Sequence, residues 1–201
     1  MLVAVINSQT SNIDSLLSAL EYLKVKHEII NNYKNVKKFT HLILPGVGSF
    51  GYVMRALVKN KLDKFIYEGL SKKKKILGIC LGMQLLFKSS SEDKSIKGLN
   101  LLDGNFKKFS KKKKIPHIGF NYVHHDQKGI WKGIKNPAPF YFLHSYRIKK
   151  NFLKNVKFFS TFYGEEFVSF VNKKNIFGVQ FHPEKSHKEG LKFIKNFLNE
   201  V

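Results

Sequence analysis

Apolar residues in this chain follow two alternating patterns, short continuous runs and longer stretches with helical spacing. The run Leu2–Ile6 is apolar throughout, as in a strand that is buried on both faces of a parallel sheet. After Ser11 and Asn12, one helical face collects the apolar residues Ile13, Leu16, Leu17, Leu20 and Leu23. The same patterns predict strands at His27–Ile30, His41–Leu44 and Lys75–Ile79, a helix over Tyr52–Glu68 with Gly69 as its stop, and a helix over Met83–Phe87.

The pattern changes after about Gly98, where short strand-like segments are joined by Gly, Asn and Pro turns. The predicted strands of this half are Phe106–Phe109, Ile118–Val123, Phe140–His144, Lys157–Thr161, Phe167–Val171 and Ile176–Phe181, with a closing helix over His187–Leu198. The element order predicts an α/β fold with a mixed, mostly parallel central sheet and flanking helices. We expect the extra strands of the second half to join that same sheet, and residues 1–201 to form a single domain.

Composition narrows the class of protein. The chain has 201 residues, of which 43% are hydrophobic, and this excludes a disordered or collagen-like chain. A single cysteine, Cys80, excludes an intramolecular disulfide and a cysteine-cluster metal site, and it fits a reducing compartment. The amino terminus lacks the basic region of a signal peptide, and no apolar run approaches the roughly 20 residues of a membrane span. We therefore expect a cytoplasmic protein without a membrane partner.

The formal net charge of +22 favours a partner with a negative surface, such as nucleic acid, an anionic membrane or a phosphorylated ligand. Arginine, which nucleic-acid binders favour for its bidentate fork, occurs only at Arg55 and Arg147. The lysine runs Lys72–Lys75 and Lys111–Lys114 each lie beside a strand-like segment, as solvated loops do. We therefore expect no nucleic-acid partner, and interpret the charge as a lysine-rich surface that helps anionic ligands arrive.

The only cysteine lies in Gly78-Ile79-Cys80-Leu81-Gly82, between an apolar strand and a helical segment. This spacing is that of a nucleophile elbow, in which a sharp strand-to-helix turn exposes the nucleophile and small neighbours prevent clashes. The N–H of Leu81 would then point at an oxyanion, and the helix amino terminus would favour the thiolate. The alternative is a buried structural cysteine between chance glycines.

A thiol nucleophile needs a base, and His182 is the best placed of the eight histidines. It follows the predicted strand Ile176–Phe181, at the strand end where open α/β folds place their sites. Glu184 lies two residues further on and can orient one imidazole nitrogen while the other faces Cys80. The three residues predict a Cys-His-Glu triad, whereas His182 alone could be an ordinary strand-end histidine.

A third element, Pro45-Gly46-Val47-Gly48-Ser49-Phe50, follows the strand His41–Leu44. Its two glycines let the backbone approach a ligand closely, so exposed N–H groups here could complete an oxyanion hole opposite Leu81. A plain Pro-Gly turn is the alternative.

Together these motifs resemble the triad-type (class I) glutamine amidotransferases, and within them the glutaminase subunits of imidazole glycerol phosphate synthases. The segments that carry the resemblance are Ile43–Phe50, Gly78–Phe87, Pro116–Asn121, Tyr141–Tyr146 and Gly178–Ser186. The resemblance implies the flavodoxin-like fold of that family and no cofactor or metal. It also implies that Cys80 attacks the side-chain amide of L-glutamine, that His182 passes the proton to the leaving ammonia, and that Glu184 holds His182.

The resemblance assigns further residues to the site and to a partner. Gln84, His144 and Ser145 would line the glutamine pocket, and Val47, Gly48 and Leu81 would surround the oxyanion. Asn12, Tyr141 and Lys185 match positions at the interface with the ammonia-accepting partner. Since the glutaminase motifs occupy the whole chain, we expect that acceptor to be a separate subunit. The resemblance implies a (β/α)₈ barrel cyclase that forms a heterodimer with this chain, makes imidazole glycerol phosphate in histidine biosynthesis and activates the glutaminase.

The chain departs from the family at three places, which we expect to lie at the surface or the partner interface. Residues 7–12 replace the usual Asp-Tyr-Gly-x-Gly-Asn, Phe120 stands where Trp is common, and Arg147 where an aromatic or apolar residue is usual. These departures leave open a paralogous glutaminase that supplies ammonia to a sugar-modifying amidotransferase. A different Cys-His hydrolase, acting on peptides or esters, and a basic binding protein with a relict triad are the remaining alternatives.

Overall fold

The computed structural model describes residues 1–8, 13–110, 114–150 and 155–199. Within these ranges the helices are α1 (Asp14–Tyr22), α2 (Phe50–Lys59), α3 (Leu62–Ser71), α4 (Leu81–Leu86) and α5 (His187–Asn199). The strands are β1 (Val3–Ile6), β2 (His27–Ile30), β3 (His41–Leu44), β4 (Lys75–Ile79), β5 (Phe87–Ser90), β6 (Asp93–Lys97), β7 (Leu102–Lys108), β8 (His117–Val123), β9 (Ala138–His144), β10 (Tyr146–Arg147), β11 (Lys157–Phe162), β12 (Glu166–Lys173) and β13 (Ile176–Val179). None of the described helices has both the length and the apolar content needed to cross a membrane.

A seven-stranded sheet forms the centre of the molecule, in the order β11-β12-β13-β4-β3-β1-β2. Strands β13, β4, β3, β1 and β2 are parallel, whereas β12 pairs antiparallel with both β11 and β13. The predicted mixed, mostly parallel sheet is therefore confirmed. Because the parallel strands run side by side, the carboxyl ends of β3, β4 and β13 meet at one edge of the sheet.

Helices cover both faces of this sheet, which explains why its central strands are apolar throughout. In β1, Val3 and Val5 pack in the core beneath α1 and α5, while Ala4 and Ile6 pack in the core beneath α2, α3 and α4. Burial on both faces requires an apolar residue at every position rather than at alternate ones. Each layer therefore holds the same strand from the opposite side and fixes the position of its carboxyl end.

The prediction of one helix over Tyr52–Glu68 was wrong, because two helices fill this region. Helix α2 ends at Lys59, and Lys61 adopts a left-handed conformation with φ of 55° before α3 begins. Gly69 lies inside α3 and does not cap it. A Cβ atom at Gly69 would lie 2.9 Å from Leu42 Cδ2, so this glycine allows α3 to pack closely on β3.

The second half joins the central sheet only in part, which corrects the expectation of one continuous sheet. Within the described residues, β11, β12 and β13 extend the central sheet, whereas β8 and β9 pair with each other as a separate antiparallel ribbon. Strands β10, β7, β5 and β6 form a further four-stranded sheet. Its strands β5 and β6 were not predicted, and β5 begins at Phe87, where the predicted helix Met83–Phe87 still continued.

Arg147 is buried, with 8% of its surface exposed, so its expected place at the surface was wrong. Its Nη2 atom donates to Glu165 Oε2 at 2.7 Å, and its guanidinium lies over the ring of Phe109. Burial opposes ionisation of Glu165, but Arg147 and other donors outweigh it and lower the pKa of this carboxyl to about 2. Phe120, by contrast, is half exposed, as expected. Residues 9–12 and Lys111–Lys113 lie outside the described residues.

Candidate active site

Cys80 occupies the junction between β4 and α4 in a strained backbone conformation. The strand ends at Ile79, the helix begins at Leu81, and Cys80 has φ of 53° and ψ of −109°. A side chain with positive φ costs free energy that the surrounding structure must supply, and such residues cluster at functional sites. The geometry is that of the nucleophile elbow that the spacing of the two glycines predicts.

Close packing around the elbow explains the two glycines. A Cβ atom at Gly82 would lie 1.8 Å from Leu44 O, and one at Gly78 would lie 2.7 Å from Gly82 O. Both distances are far inside van der Waals contact with backbone, which cannot move aside. Glycine at both positions therefore lets α4 pack against the end of β3, and this places the loop Pro45–Gly48 beside Cys80.

His182 lies just beyond β13, and its backbone and side chain are both held in place. Its amide N donates to Tyr141 O at 2.8 Å, and its carbonyl accepts from Ser186 Oγ at 2.6 Å. On the ring, Nδ1 lies 2.7 Å from Glu184 Oε1. His182 is 2% exposed, so the carboxylate orients an imidazole that is shielded from water.

The charge state of His182 follows from its two neighbours. Burial lowers the pKa of His182, but the Cys80 sulfur and the Glu184 carboxylate outweigh burial and raise that pKa to about 10. The remaining ring nitrogen, Nε2, is buried, and the Cys80 sulfur interacts with the ring as a hydrogen-bond and charge partner. The Cys80 sulfur and the Glu184 carboxylate therefore favour the imidazolium form of His182, whose Nε2 proton is the one available for transfer.

A cavity of about 260 Å³ opens over Cys80. Its lining residues are Val47, Gly48, Cys80, Leu81, Gln84, Glu92, Pro116, Leu143, His144, Ser145 and Tyr146. The structure thus brings together with Cys80 all of the residues expected at the oxyanion and in the substrate pocket. The volume lies just below the roughly 300–1,000 Å³ that is usual for small-molecule sites, and it suits a substrate of amino-acid size.

His144 contributes to this cavity as part of its wall, because both of its ring nitrogens are already engaged. Nδ1 lies 2.8 Å from Tyr146 O, and Nε2 lies 3.1 Å from His117 Nδ1. Burial lowers the pKa of His144 to about 3 and the pKa of His117 to about 4, so both rings are neutral. Nδ1 of His144 then donates to the carbonyl, Nε2 accepts from His117, and neither nitrogen is left for a substrate.

Glu92 is a site residue that the motifs did not indicate. It lies in the turn between β5 and β6, two strands that the sequence pattern did not predict, and it lines the cavity. Its Oε2 accepts from the amide N of Phe50 at 2.9 Å, at the beginning of α2. Of the described residues that line the cavity, Glu92 is the only acidic one. The carboxylate gives the cavity a place for a cationic group.

An exposed apolar surface lies on the ribbon of β8 and β9 that borders the site. Its large side chains, between 37% and 58% exposed, are Ile118, Phe120, Tyr122 and Leu143. Tyr141, half-buried, pairs with Phe120 across the ribbon, and Lys185 is exposed on the turn after His182. Asn12, the third residue expected at a partner interface, lies outside the described residues. Exposed apolar patches of this kind are typical of protein interfaces.

Comparison with known proteins adds sequence and structural relatives. The family described as "Glutamine amidotransferase class-I" matches residues 4–201. Imidazole glycerol phosphate synthase subunit HisH of Methanocaldococcus jannaschii is 42% identical over 198 residues, covering 98% of each chain. The HisH subunit of Caldanaerobacter subterraneus is 41% identical, over 98% of this chain and 97% of its own. Among solved structures, PurLQS from Thermotoga maritima matches with a TM-score of 0.78 and 21% identity, over 98% of this chain and 97% of that one.

Proposed function

Because the chain belongs to the class-I glutamine amidotransferase family, we propose that it is the glutaminase subunit of an imidazole glycerol phosphate synthase. It hydrolyses L-glutamine to glutamate and passes the ammonia to a separate cyclase subunit, in histidine biosynthesis. The observation that carries the proposal is the buried His182, which is bonded to Glu184 at 2.7 Å and interacts with the sulfur of Cys80, the only cysteine, in the cavity lining.

Acylation begins when the Cys80 sulfur attacks the side-chain amide carbon of glutamine and forms a C–S bond. The carbonyl oxygen becomes an oxyanion, and in this proposal it is bound by the backbone N–H groups of Gly48 and Leu81, two residues that line the cavity. As the C–N bond breaks, His182 gives its Nε2 proton to the leaving nitrogen, and ammonia departs. The product on the enzyme is a glutamyl thioester.

Deacylation uses the same groups in the opposite sense. His182, now neutral, takes a proton from water, and the resulting oxygen nucleophile attacks the thioester carbon. The C–S bond breaks, glutamate leaves, and the sulfur keeps the bonding electrons. Glu184 holds the imidazole in one orientation through both steps and stabilises its charged form. No metal or organic cofactor takes part in this proposal.

Recognition of the substrate rests on Glu92 and on the wall formed by residues 143–146. The Glu92 carboxylate is placed to bind the α-ammonium group of glutamine, since the described lining offers no other negative side chain. Gln84 supplies an amide whose Oε1 is buried without a partner among the described residues, and this oxygen can accept from a bound substrate. Ser145 lies in the wall and offers a hydroxyl to the substrate carboxylate.

Replacing Glu92 by glutamine is expected to raise KM for glutamine about tenfold to a hundredfold, with a much smaller change in kcat. The variant keeps an acceptor for the Phe50 amide but loses the negative charge that binds the ammonium, and a hydrogen bond to a charged group is worth about 1.5–3 kcal/mol. Steady-state glutaminase kinetics measure the effect. Asp93→Asn, in the neighbouring residue that pairs with Arg55 outside the cavity, is the matched control. An unchanged KM in Glu92→Gln would contradict the assignment.

The proposed partner is a (β/α)₈ barrel cyclase that forms a heterodimer with this chain. The exposed apolar surface of Ile118, Phe120, Tyr122 and Leu143 borders the site and offers a place for it, with Tyr141 and Lys185 at the edge. Release of ammonia beside a partner suits coupled synthesis, because ammonia in bulk water becomes ammonium and ceases to be a nucleophile.

The proposal includes one catalytic domain over residues 1–201 and a cytoplasmic location, where a reactive thiol stays reduced.

The proposed function is tested by reconstituting the chain with the barrel cyclase from the same cell. We expect glutamine-dependent formation of imidazole glycerol phosphate, and a glutaminase rate that rises at least about tenfold when the cyclase and its phosphorylated substrate are added. The competing tests use sugar-modifying amidotransferases from the same cell, ester and peptide substrates, and nucleic acid. Turnover with one of these enzymes or substrates, or binding to nucleic acid, together with no activity with the cyclase, would overturn the proposal.

A further inference from the structure

Gln180 is a buried polar residue that the mechanism above does not use. It follows the last residue of β13 and is 0% exposed, so both ends of its side-chain amide must find partners inside the protein. Its Nε2 lies 3.7 Å from Cys80 Sγ, and its Oε1 lies 3.3 Å from Gln84 Nε2. A chain of contacts therefore runs from the substrate cavity, through two amides, to the sulfur.

Which groups donate and which accept along this series of contacts follows from the chemistry of its two ends. Gln84 Nε2 donates to Gln180 Oε1, which leaves the NH₂ end of Gln180 facing the sulfur. Turning both amides over would set Gln180 Oε1 against the sulfur, and a carbonyl oxygen repels a thiolate. The nearby imidazolium of His182 favours the anionic sulfur, so the donating orientation of Gln180 is the consistent one.

The sulfur has a second neighbour, which favours the protonated thiol over the thiolate. Leu143 O lies 3.5 Å from Cys80 Sγ and can accept only from the protonated thiol. Gln180 N–H, in contrast, interacts more strongly as negative charge grows on the sulfur. The Gln180 N–H therefore offsets the preference of Leu143 O for the protonated thiol. Its effect is largest when the sulfur carries the most negative charge.

We propose that Gln180 is a further catalytic residue, which donates a hydrogen bond from Nε2 to the Cys80 sulfur. It stabilises the thiolate before attack, and again when water has added to the thioester and the C–S bond breaks with both electrons going to sulfur. A neutral thioester sulfur is a poor acceptor, so the bond weakens in the intermediate and strengthens in the transition state of its hydrolysis. Gln84 acts as a positioning residue, because its amide holds Gln180 in the donating orientation.

This inference rests on the proposed glutaminase function for its kinetic test, but not for its chemical test. Gln180→Met keeps the length of the side chain and removes both the carbonyl and the NH₂ of its amide. In the complex with the cyclase, we expect kcat for glutamine to fall about tenfold or more without a rise in KM. The fraction of enzyme trapped as glutamyl thioester on acid quenching should rise, since expulsion of the sulfur is slowed.

The chemical test uses iodoacetamide on the full chain, where Cys80 is the only thiol and alkylation reports on it alone. We expect the pH at which the alkylation rate reaches half its maximum to move upward by about one unit in Gln180→Met. Gln180→Asn, whose shorter amide cannot reach the sulfur, should behave in the same way and serves if the Met variant does not fold.

The outcomes separate this inference from the proposed function. A shifted alkylation profile in the Gln180 variants, relative to the unmodified chain, supports the hydrogen bond even if no glutaminase activity is found. Normal glutaminase activity in the unmodified complex with an unshifted alkylation profile in the variants overturns the Gln180 assignment alone. A loss of kcat with an unshifted profile, or a rise in KM alone, also overturns it, since either result places Gln180 in packing or substrate binding.

Discussion

Replacing Cys80 by alanine is expected to remove glutamine-dependent synthesis by the complex, by at least about a thousandfold, while ammonium salts still support synthesis. The reason is that the cavity keeps its shape and its charged groups, but no covalent bond to the substrate can form. The acceptor reaction takes place on the partner and needs only ammonia. Both rates are measured on one preparation of the complex, with glutamine or with an ammonium salt as the nitrogen source.

The ammonium-supported rate is the internal control of this experiment. It should stay within about twofold of the unmodified complex, because Cys80 is 4% exposed and its loss leaves the surface unchanged. If both rates fell together, the site would not be the source of the ammonia. If neither rate fell, Cys80 would be a structural cysteine and another group would activate glutamine.

Replacing Glu184 by glutamine is expected to lower kcat for glutamine on the order of a hundredfold to ten-thousandfold. Glu184 Oε1 lies 2.7 Å from His182 Nδ1 and carries the negative charge that stabilises the imidazolium. An amide of the same size can hold the ring only weakly and can present the wrong group to Nδ1. Since the carboxylate lies outside the cavity lining, KM for glutamine should change little.

The same variant should change the pH dependence of stability. The folded-state pKa of His182 is raised to about 10 from an ordinary value near 6.5. Its contribution to the free energy of unfolding is therefore fully present below about pH 6.5 and is lost as the pH rises through about 10. Urea unfolding at a series of pH values should show this decline in the unmodified chain and a smaller decline in Glu184→Gln, because loss of the carboxylate lowers the folded-state pKa of His182.

Glu189→Gln is the matched control for both measurements. Glu189 lies in α5 near the same turn, where it accepts from the amide of Lys135 and pairs with Lys192. The control should keep kcat and the pH dependence of the unmodified protein. Equal losses in the two glutamate variants would mean that the effect is a general one of charge, and the orienting role of Glu184 would be wrong.

The parts of the site that lie on the central strands could be predicted from the sequence. An apolar run buried on both faces, ended by Gly78-Ile79-Cys80-Leu81-Gly82, specifies a strand, a tight turn and a helix within a few residues. His182 follows a strand of the same kind and therefore reaches the same sheet edge as Cys80. Local pattern was sufficient here, because parallel strands bring their carboxyl ends together whatever their distance along the chain.

Other residues depend on tertiary contacts that no local pattern records. Glu92 reaches the cavity on the β5–β6 turn, and those strands carry few of the apolar residues that mark a strand. The break between α2 and α3 comes at Asn60 and Lys61, which look like ordinary helix residues on the polar face. Arg147 was expected at the surface or the partner interface because it departs from the family pattern, and the distant Glu165 makes its burial favourable.

The most direct measurement of the central claim is mass spectrometry of Cys80 after acid quenching of the complex during glutamine turnover. We predict a glutamyl adduct on the peptide that contains Cys80, absent from Cys80→Ala and enriched when thioester hydrolysis is slowed. It follows from the position of the sulfur at the cavity beside His182 and Glu184. Glutamine turnover with no adduct on Cys80 at any quench time, and undiminished turnover by Cys80→Ala, would contradict it.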